Sequence, residues 1–283
     1  MANEIIPTAA GLYYLNEVWP RTIEANVYDV MDFATTITGR ERLYNLLHMP
    51  KISRATYTTL AQSATGGSLS PSGNSETEAT LSPSGIYVMD IFSQNQIAQS
   101  NMNQIEAYTQ RIEDALAEGV ETIAQATISS LTTYRLGAAG ASIDASLWRS
   151  AVGKIPKGAR SKGVPGKADI HIFIPTGQWP SVMGIDEFTH ADIVGGESRV
   201  VKGIFVKAAG ATLHMNNVLP ASSGTSRYGS VFIPGAFGIS WNQRVSSEKQ
   251  RFELQEKLIG YCNFGAGIVW DNRAVRLECD DPS

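Results

Sequence analysis

Residues 53–92 form a long excursion that is poor in charge and rich in serine, threonine and glycine: SRATYTTLAQSATGGSLSPSGNSETEATLSPSGIYVMDIF. A compact domain rarely carries such an arm, because its backbone donors and acceptors find no partner within the domain. The runs RATYTTL and GIYVMDIF at its ends have strand composition. They predict a long two-stranded hairpin over 53–92 rather than disorder. A hairpin that leaves its own domain needs a neighbour to cover it, so the chain reads first as a protein that assembles. The motif LSPSG occurs at Leu69–Gly73 and again at Leu81–Gly85. It reads as two similar turns, too short to mark a duplicated domain.

The 283 residues are 43% hydrophobic and 18% charged, enough for a substantial core in one large domain or two smaller ones. No apolar run is long enough for a membrane span. The start, MANEIIPTAAGLYYLNEVWP, lacks the basic and apolar regions of a secretory signal. A net charge of −4 argues against a dedicated DNA-binding protein. Cys262 and Cys279 form no disulfide framework and read as buried thiols of a chain made in a reducing cytoplasm.

Periodicity predicts a helix over Leu15–Phe33 and a short helical piece over Gly39–His48. A long helix then begins near Gln94. Ile97, Ile105, Tyr108, Ile112, Leu116, Val120, Ile123 and Leu131 share its apolar face, sustained for roughly 35 residues or about 50 Å. Gln99, Asn103, Gln110, Glu113, Asp114 and Glu121 form its polar face, and Gly119 marks a bend or close packing point. Asp144 is placed to cap a short helix over Ile143–Val152. ADIHIFIP is a buried strand with Ile170, Ile172 and Ile174 on one face. Thr176 is expected to cap a short helix through Trp179 to Met183. Strand patterns follow at Arg199–Val206, Ala211–Asn216, Tyr228–Ile233 and Phe237–Trp241, with alternation at Phe252, Leu254 and Leu258. GAGIVW and AVRLE around Asp271-Asn272 predict a closing hairpin. The class is α+β.

Catalytic signatures are weak. His48, His171, His190 and His214 lack metal-ligand spacing, and no nucleophile elbow or phosphate loop occurs. No catalytic residue, cofactor or metal is assigned. His171 alternates with the isoleucines and reads as structural. His190 with Asp186, Glu187 and Asp192 could hold a metal but reads better as a solvated loop. Arg149, Lys154, Lys157, Arg160, Lys162 and Lys167 form a basic cluster interleaved with glycine and proline. It reads as a solvated or intersubunit loop, or as a contact for nucleic acid or an acidic neighbour. Without interleaved aromatics, base-specific recognition is not expected.

The order of these elements resembles the major capsid proteins of tailed bacteriophages, those of the HK97-type fold. The resemblance rests on the arm followed directly by the long helix (53–131), on ADIHIFIPTGQWPSVM, on VVKGIFVKAAGATLHMNNVLP and on IGYCNFGAGIVWDNRAVRLE. It implies an N-terminal arm and helices over 1–50, an extended E-loop hairpin over 51–93 and a spine helix over 94–134. An A-domain over 135–238 and return strands over 239–283 complete the division. It further implies a virion subunit that forms pentamers and hexamers of an icosahedral shell around packaged double-stranded DNA. Implied partners are other copies of the chain, a portal, a decoration protein and a scaffolding protein, which is expected to be separate because no long leader precedes the arm. Assembly would take place in the host cytoplasm.

Some members of that family link an E-loop lysine covalently to a neighbour. Here no lysine lies between Lys51 and Lys154, and Arg54 is the arm's only basic residue. The shell is therefore expected to be held without crosslinks. Arg54, Tyr57, Glu76, Glu78 and Tyr87 are the expected subunit contacts, with the two glutamates near the arm's tip. Two alternatives stay open: an encapsulin-type nanocompartment that encloses protein cargo, and an α+β enzyme whose arm serves only to dimerise.

Overall fold

The computed structural model describes residues 31–41, 47–52, 76–93, 102–155, 170–185, 207–208, 211–252 and 255–281. The expected helix over 15–33 lies almost wholly outside them. What is described there is a single helical turn, α1 (Phe33–Thr36). The piece expected to be helical over 39–48 is extended instead, in β1 (Thr38–Glu41) and β2 (Leu47–Ile52). β1 lies parallel to Gly238–Trp241, and that long-range ladder overrides the local helical pattern.

β3 (Glu76–Leu81) pairs antiparallel with β2, so that Ile52 faces Glu76 and Leu47 faces Leu81. The next strand, β4 (Ser84–Ser93), does not join that pair. It runs antiparallel to β11 (Gln255–Ile268), from Ser93 opposite Gln255 to Ser84 opposite Phe264. Of the hairpin expected over 53–92, only the second strand is described, and it pairs with β11. GIYVMDIF belongs to the body of the protein, and RATYTTL lies outside the described residues.

α2 (Met102–Ala126) is the long helix. It gives way to a 3-10 turn at Thr127–Ser130, so Leu131 lies beyond its end. Ile112, Leu116 and Val120 are fully buried, as their spacing predicts. Their ground is β11. Gly260 lies so close that a Cβ there would come to 2.6 Å from Leu116 Cδ1 and 2.9 Å from Ile112 Cγ2. Gly119 faces Ile86 of β4 at ordinary contact distance. Asp114 is exposed as expected, but Glu113 and Glu121 of the supposed polar face are buried.

Two sheets flank this core. One has the order β1-β10-β11-β4, with β10 spanning Phe237–Phe252. The other contains β5 (Arg135–Gly137), β6 (Ile170–Ile174), β7 (Lys207–Ala208), β8 (Ala211–Met215), β9 (Arg227–Phe232) and β12 (Ala274–Cys279), in the order β5-β12-β9-β6-β8-β7. The expected closing hairpin is therefore corrected. β11 stays in the first sheet, and a 3-10 turn at Asp271–Arg273 sends β12 into the second, antiparallel to β9 and parallel to β5.

The Asp271 carboxylate anchors this turn by accepting from the hydroxyls of Thr132 and Thr133, at 2.7 Å each, and from their N–H groups. It thereby ties the crossover to the chain leaving the long helix. Desolvation works to raise its pKa, but those donors together hold it below the ordinary carboxylate value.

β6 is buried on both faces. Ile170, Ile172 and Ile174 pack with Val231, Val275 and Leu277, beneath α3 (Ala145–Lys154). Asp144 caps α3 as predicted, accepting the N–H of Leu147 at 2.7 Å. On the opposite face Phe173 and Phe232 receive Phe33 edge-on at 5.1 and 5.4 Å. Phe237 of the first sheet meets Phe33 at 5.4 Å as well. Phe33 thus locks α1 between the two sheets. α4 (Trp179–Met183) follows a 3-10 turn at Thr176–Gln178. Thr176 begins that turn and does not cap the helix, whose N-cap is Gln178.

Candidate functional site

β4 is an edge strand among the described residues, since its ladder joins β11 alone. Alternation splits its side chains. Ile86 and Val88 pack on the core, while Tyr87, Met89 and Ile91 point outward at 75%, 44% and 48% exposure. A row of three large apolar side chains on a sheet edge is a feature that monomeric proteins avoid and interfaces use. The sequence named Tyr87 but missed Met89 and Ile91, although strict alternation along GIYVMDIF places them on the same face.

Of the other expected contacts, Glu78 is exposed on β3 and Glu76 begins that strand. Both pair with β2, opposite Pro50 and Ile52, so they stand at the root of segment 53–75 and not near a tip. Arg54 and Tyr57 lie outside the described residues. The basic cluster is only partly described. Arg149 and Lys154 are exposed on α3, not in a loop, and Lys154 Nζ lies 5.8 Å above the ring of Tyr134. Lys157, Arg160, Lys162 and Lys167 lie outside the described residues, as do His190, Asp186, Glu187 and Asp192.

A half-buried polar joint, unread in the sequence, ties the first described segment to the rest. The carboxylate of Asp32 contacts His214 Nδ1 at 2.8 and 2.9 Å, and His214 Nε2 lies 3.0 Å from His171 Nδ1. His214 stacks on Phe173 at 4.4 Å, and His171 stacks on Phe232 at 5.9 Å. His171 therefore faces away from the isoleucines, as expected, and forms part of this chain of bonds. From the other side, Glu121 Oε1 accepts the N–H groups of Asp32 and Ala34 at 2.8 and 3.0 Å. The signal was a histidine in the strand ATLHM, but its partner Asp32 lies 182 residues away.

Cys262 and Cys279 are free and buried. Burial pushes the first thiol to about 11. Burial, with the nearby carboxylates of Asp281, Asp280 and Glu278, pushes the second to about 12. Both are therefore unreactive at neutral pH, as the sequence suggested. Among the described residues no cluster of metal-ligating side chains occurs, and no helix is long and apolar enough to cross a membrane.

No protein-family model matches the chain, and no curated protein matches it in sequence. Solved structures do. The capsid of cyanophage P-SCSP1u superposes with a TM-score of 0.67 over 87% of this chain and 87% of its own, at 14% identity. The head structure of Helicobacter pylori bacteriophage KHP40 matches at 0.68, covering 90% of this chain and 91% of its own, at 8% identity. This chain has the HK97-type capsid fold. A virus-like particle from Pyrococcus furiosus shares it too, at TM-score 0.59 over 93% of this chain and 99% of its own, at 9% identity. Identities this low leave the capsid fold visible only in the arrangement of elements.

Proposed function

We propose that this chain is a structural subunit of a bacteriophage capsid. It assembles with copies of itself into pentamers and hexamers of an icosahedral shell that encloses double-stranded DNA in the virion. The carrying observation is the apolar row Tyr87–Met89–Ile91 on the edge of β4, in a chain that shares nearly its whole length with capsid proteins. Three large side chains exposed to water on a sheet edge are a liability in a lone subunit and an asset against a neighbour. In sequence, segment 53–75 joins β2 to β3, and β3 runs into β4 through Ser82 and Pro83. Arg54, Tyr57, Glu76 and Glu78 would add contacts there.

The shell is held without covalent links, since the arm carries no lysine. The cluster Arg149, Lys154, Lys157, Arg160, Lys162 and Lys167 meets nucleic acid or an acidic neighbour surface. A portal and a separate scaffolding protein complete the assembly, with a decoration protein as a further partner, and assembly takes place in the host cytoplasm. The role is structural rather than catalytic.

One second reading has an observation behind it. The likeness to the Pyrococcus virus-like particle, covering 99% of that chain, also fits an encapsulin-type compartment. Both readings predict large closed particles from the expressed protein, visible by negative stain, whereas small oligomers would overturn both. Nuclease-protected DNA in particles recovered from infected cells supports the capsid. Particles that hold protein cargo and no DNA support the compartment.

A further inference from the structure

The carboxylate of Asp32 decides where the hydrogens of the histidine pair sit. A carboxylate only accepts, so His214 Nδ1, at 2.8 and 2.9 Å from its two oxygens, carries a hydrogen. That leaves Nε2 of the same ring facing His171 Nδ1 at 3.0 Å. Two ring nitrogens at that distance need one hydrogen between them, because two lone pairs or two N–H groups repel. With both rings neutral, His171 Nδ1–H donates to His214 Nε2. When the pair takes one proton, the hydrogen between the rings is still single, and the charge is shared beside the carboxylate. When it takes a second, both nitrogens of each ring carry hydrogens, and two N–H groups point at each other.

The rings are held from behind. His214 lies flat on Phe173, with centroids 4.4 Å apart and planes 1° from parallel, and His171 stacks on Phe232. Both phenyl rings are fully buried, and the His214 side chain is only 15% exposed. Among the described residues, α1 presents Asp32 to the pair. Behind it α2 presents Glu121, whose Oε1 takes the N–H groups of Asp32 and Ala34. β9 presents the uncharged Phe232, and β8 carries no charge besides His214. On β7, Lys207 stands in register with Thr212, two residues before His214.

We propose that Asp32, His214 and His171 form an acid-sensitive joint between α1 and the second sheet, closed while the two imidazoles share one hydrogen and opened when each takes its own proton. The first proton leaves every bond of the joint in place. The second breaks the bond between the rings, while His214 keeps its carboxylate. The open joint therefore binds more protons than the closed one, so acid favours opening. Opening sets in as pH falls below the ordinary imidazole range, about 6.5, and closing returns as pH rises. The joint belongs to the single subunit and works with or without assembly.

Nuclear magnetic resonance of the ring nitrogens, on the full chain kept as unassembled subunits, reads the pair directly. His214 should carry its hydrogen on Nδ1 at neutral pH. The two imidazoles should titrate in two steps at least about one pH unit apart, which needs no variant to observe. His171→Gln supplies the comparison. Its amide offers His214 Nε2 either an N–H or an oxygen, and it takes no proton. In that chain His214 should titrate in a single step. Hydrogen exchange corrected for intrinsic rates should show protection over residues 31–37 and 211–215 falling roughly tenfold from about pH 7 to pH 5 in the wild type. In His171→Gln it should hold. Three results would overturn the proposal: His214 bare at Nδ1 at neutral pH, two imidazoles that titrate together in one step, or equal loss of protection in acid in both chains.

Discussion

Gly260 of β11 lies directly beneath Leu116 of α2, so close that a Cβ on the glycine would come to 2.6 Å from the leucine's Cδ1. This contact sets the height of the long helix above its sheet. Gly260→Ala should cost about 1–3 kcal/mol, because Leu116 and Ile112, both fully buried, must shift to make room for the added Cβ. Gly265→Ala should cost more, since there the added Cβ would meet backbone, at 2.6 Å from the Ser82 carbonyl oxygen. Urea denaturation of the isolated subunit measures both. A Gly265→Ala chain as stable as the wild type would refute the close packing of the β3–β4 connection on β11.

Truncation of the helix's buried face gives a second test. Ile112→Ala and Leu116→Ala should each cost about 2–5 kcal/mol, and Phe33→Ala about 3–5 kcal/mol. Asp114→Ala, on the exposed side, should stay within about 0.5 kcal/mol. Denaturant midpoints with unchanged slopes are the readout. Equal effects at Asp114 and Ile112 would mean the helix is rotated from the register described.

The Asp271 anchor should be visible in acid. Its carboxylate is held below the ordinary value of 3.8, so its contribution is present above that value and lost as pH falls through its own lower one. Asp271→Asn should therefore lower the melting temperature at neutral pH, and the deficit should shrink below about pH 4. A deficit that persists unchanged into strong acid would show that shape, not charge, matters at this turn.

Replacing Tyr87, Met89 and Ile91 together by serine or threonine should leave subunit stability nearly unchanged, because those side chains are already in water. Assembly should fail or require far higher protein concentration. Sedimentation separates the two effects. Normal particles from the triple variant would remove the β4 row from the interface.

Cohesion without crosslinks has a simple readout. Mature particles boiled in SDS should release single chains and no ladder of linked ones. Contacts at Glu76 and Glu78 would be screened over about 8–10 Å, so reversing both charges should make assembly more sensitive to salt. Covalent oligomers on the gel would contradict the reading drawn from the missing lysine.

Local patterns were legible where one short stretch carried the whole signal. The alternation of Ile170, Ile172 and Ile174, the Asp144 cap and the buried face at Ile112 and Leu116 all stand in the structure. What stayed hidden was pairing over long distance. GIYVMDIF has strand composition whichever strand lies beside it, and nothing within it names β11 as its partner. Asp271-Asn272 looks like a hairpin turn, yet the strands on either side join different sheets. Glu121 looked solvated because its partners, the N–H groups of Asp32 and Ala34, lie 89 and 87 residues away. The candidate interface was half legible. Tyr87 stood out as an aromatic on the arm, whereas Met89 and Ile91 matter only once β4 is known to be an edge.

The most direct test of the central claim is a cryo-electron-microscopy reconstruction of the particles formed by the full chain. The capsid reading predicts a closed shell of icosahedral symmetry with pentameric and hexameric units, in which Tyr87, Met89 and Ile91 are covered by an adjacent copy. Small oligomers in which that row remains open to solvent would contradict it.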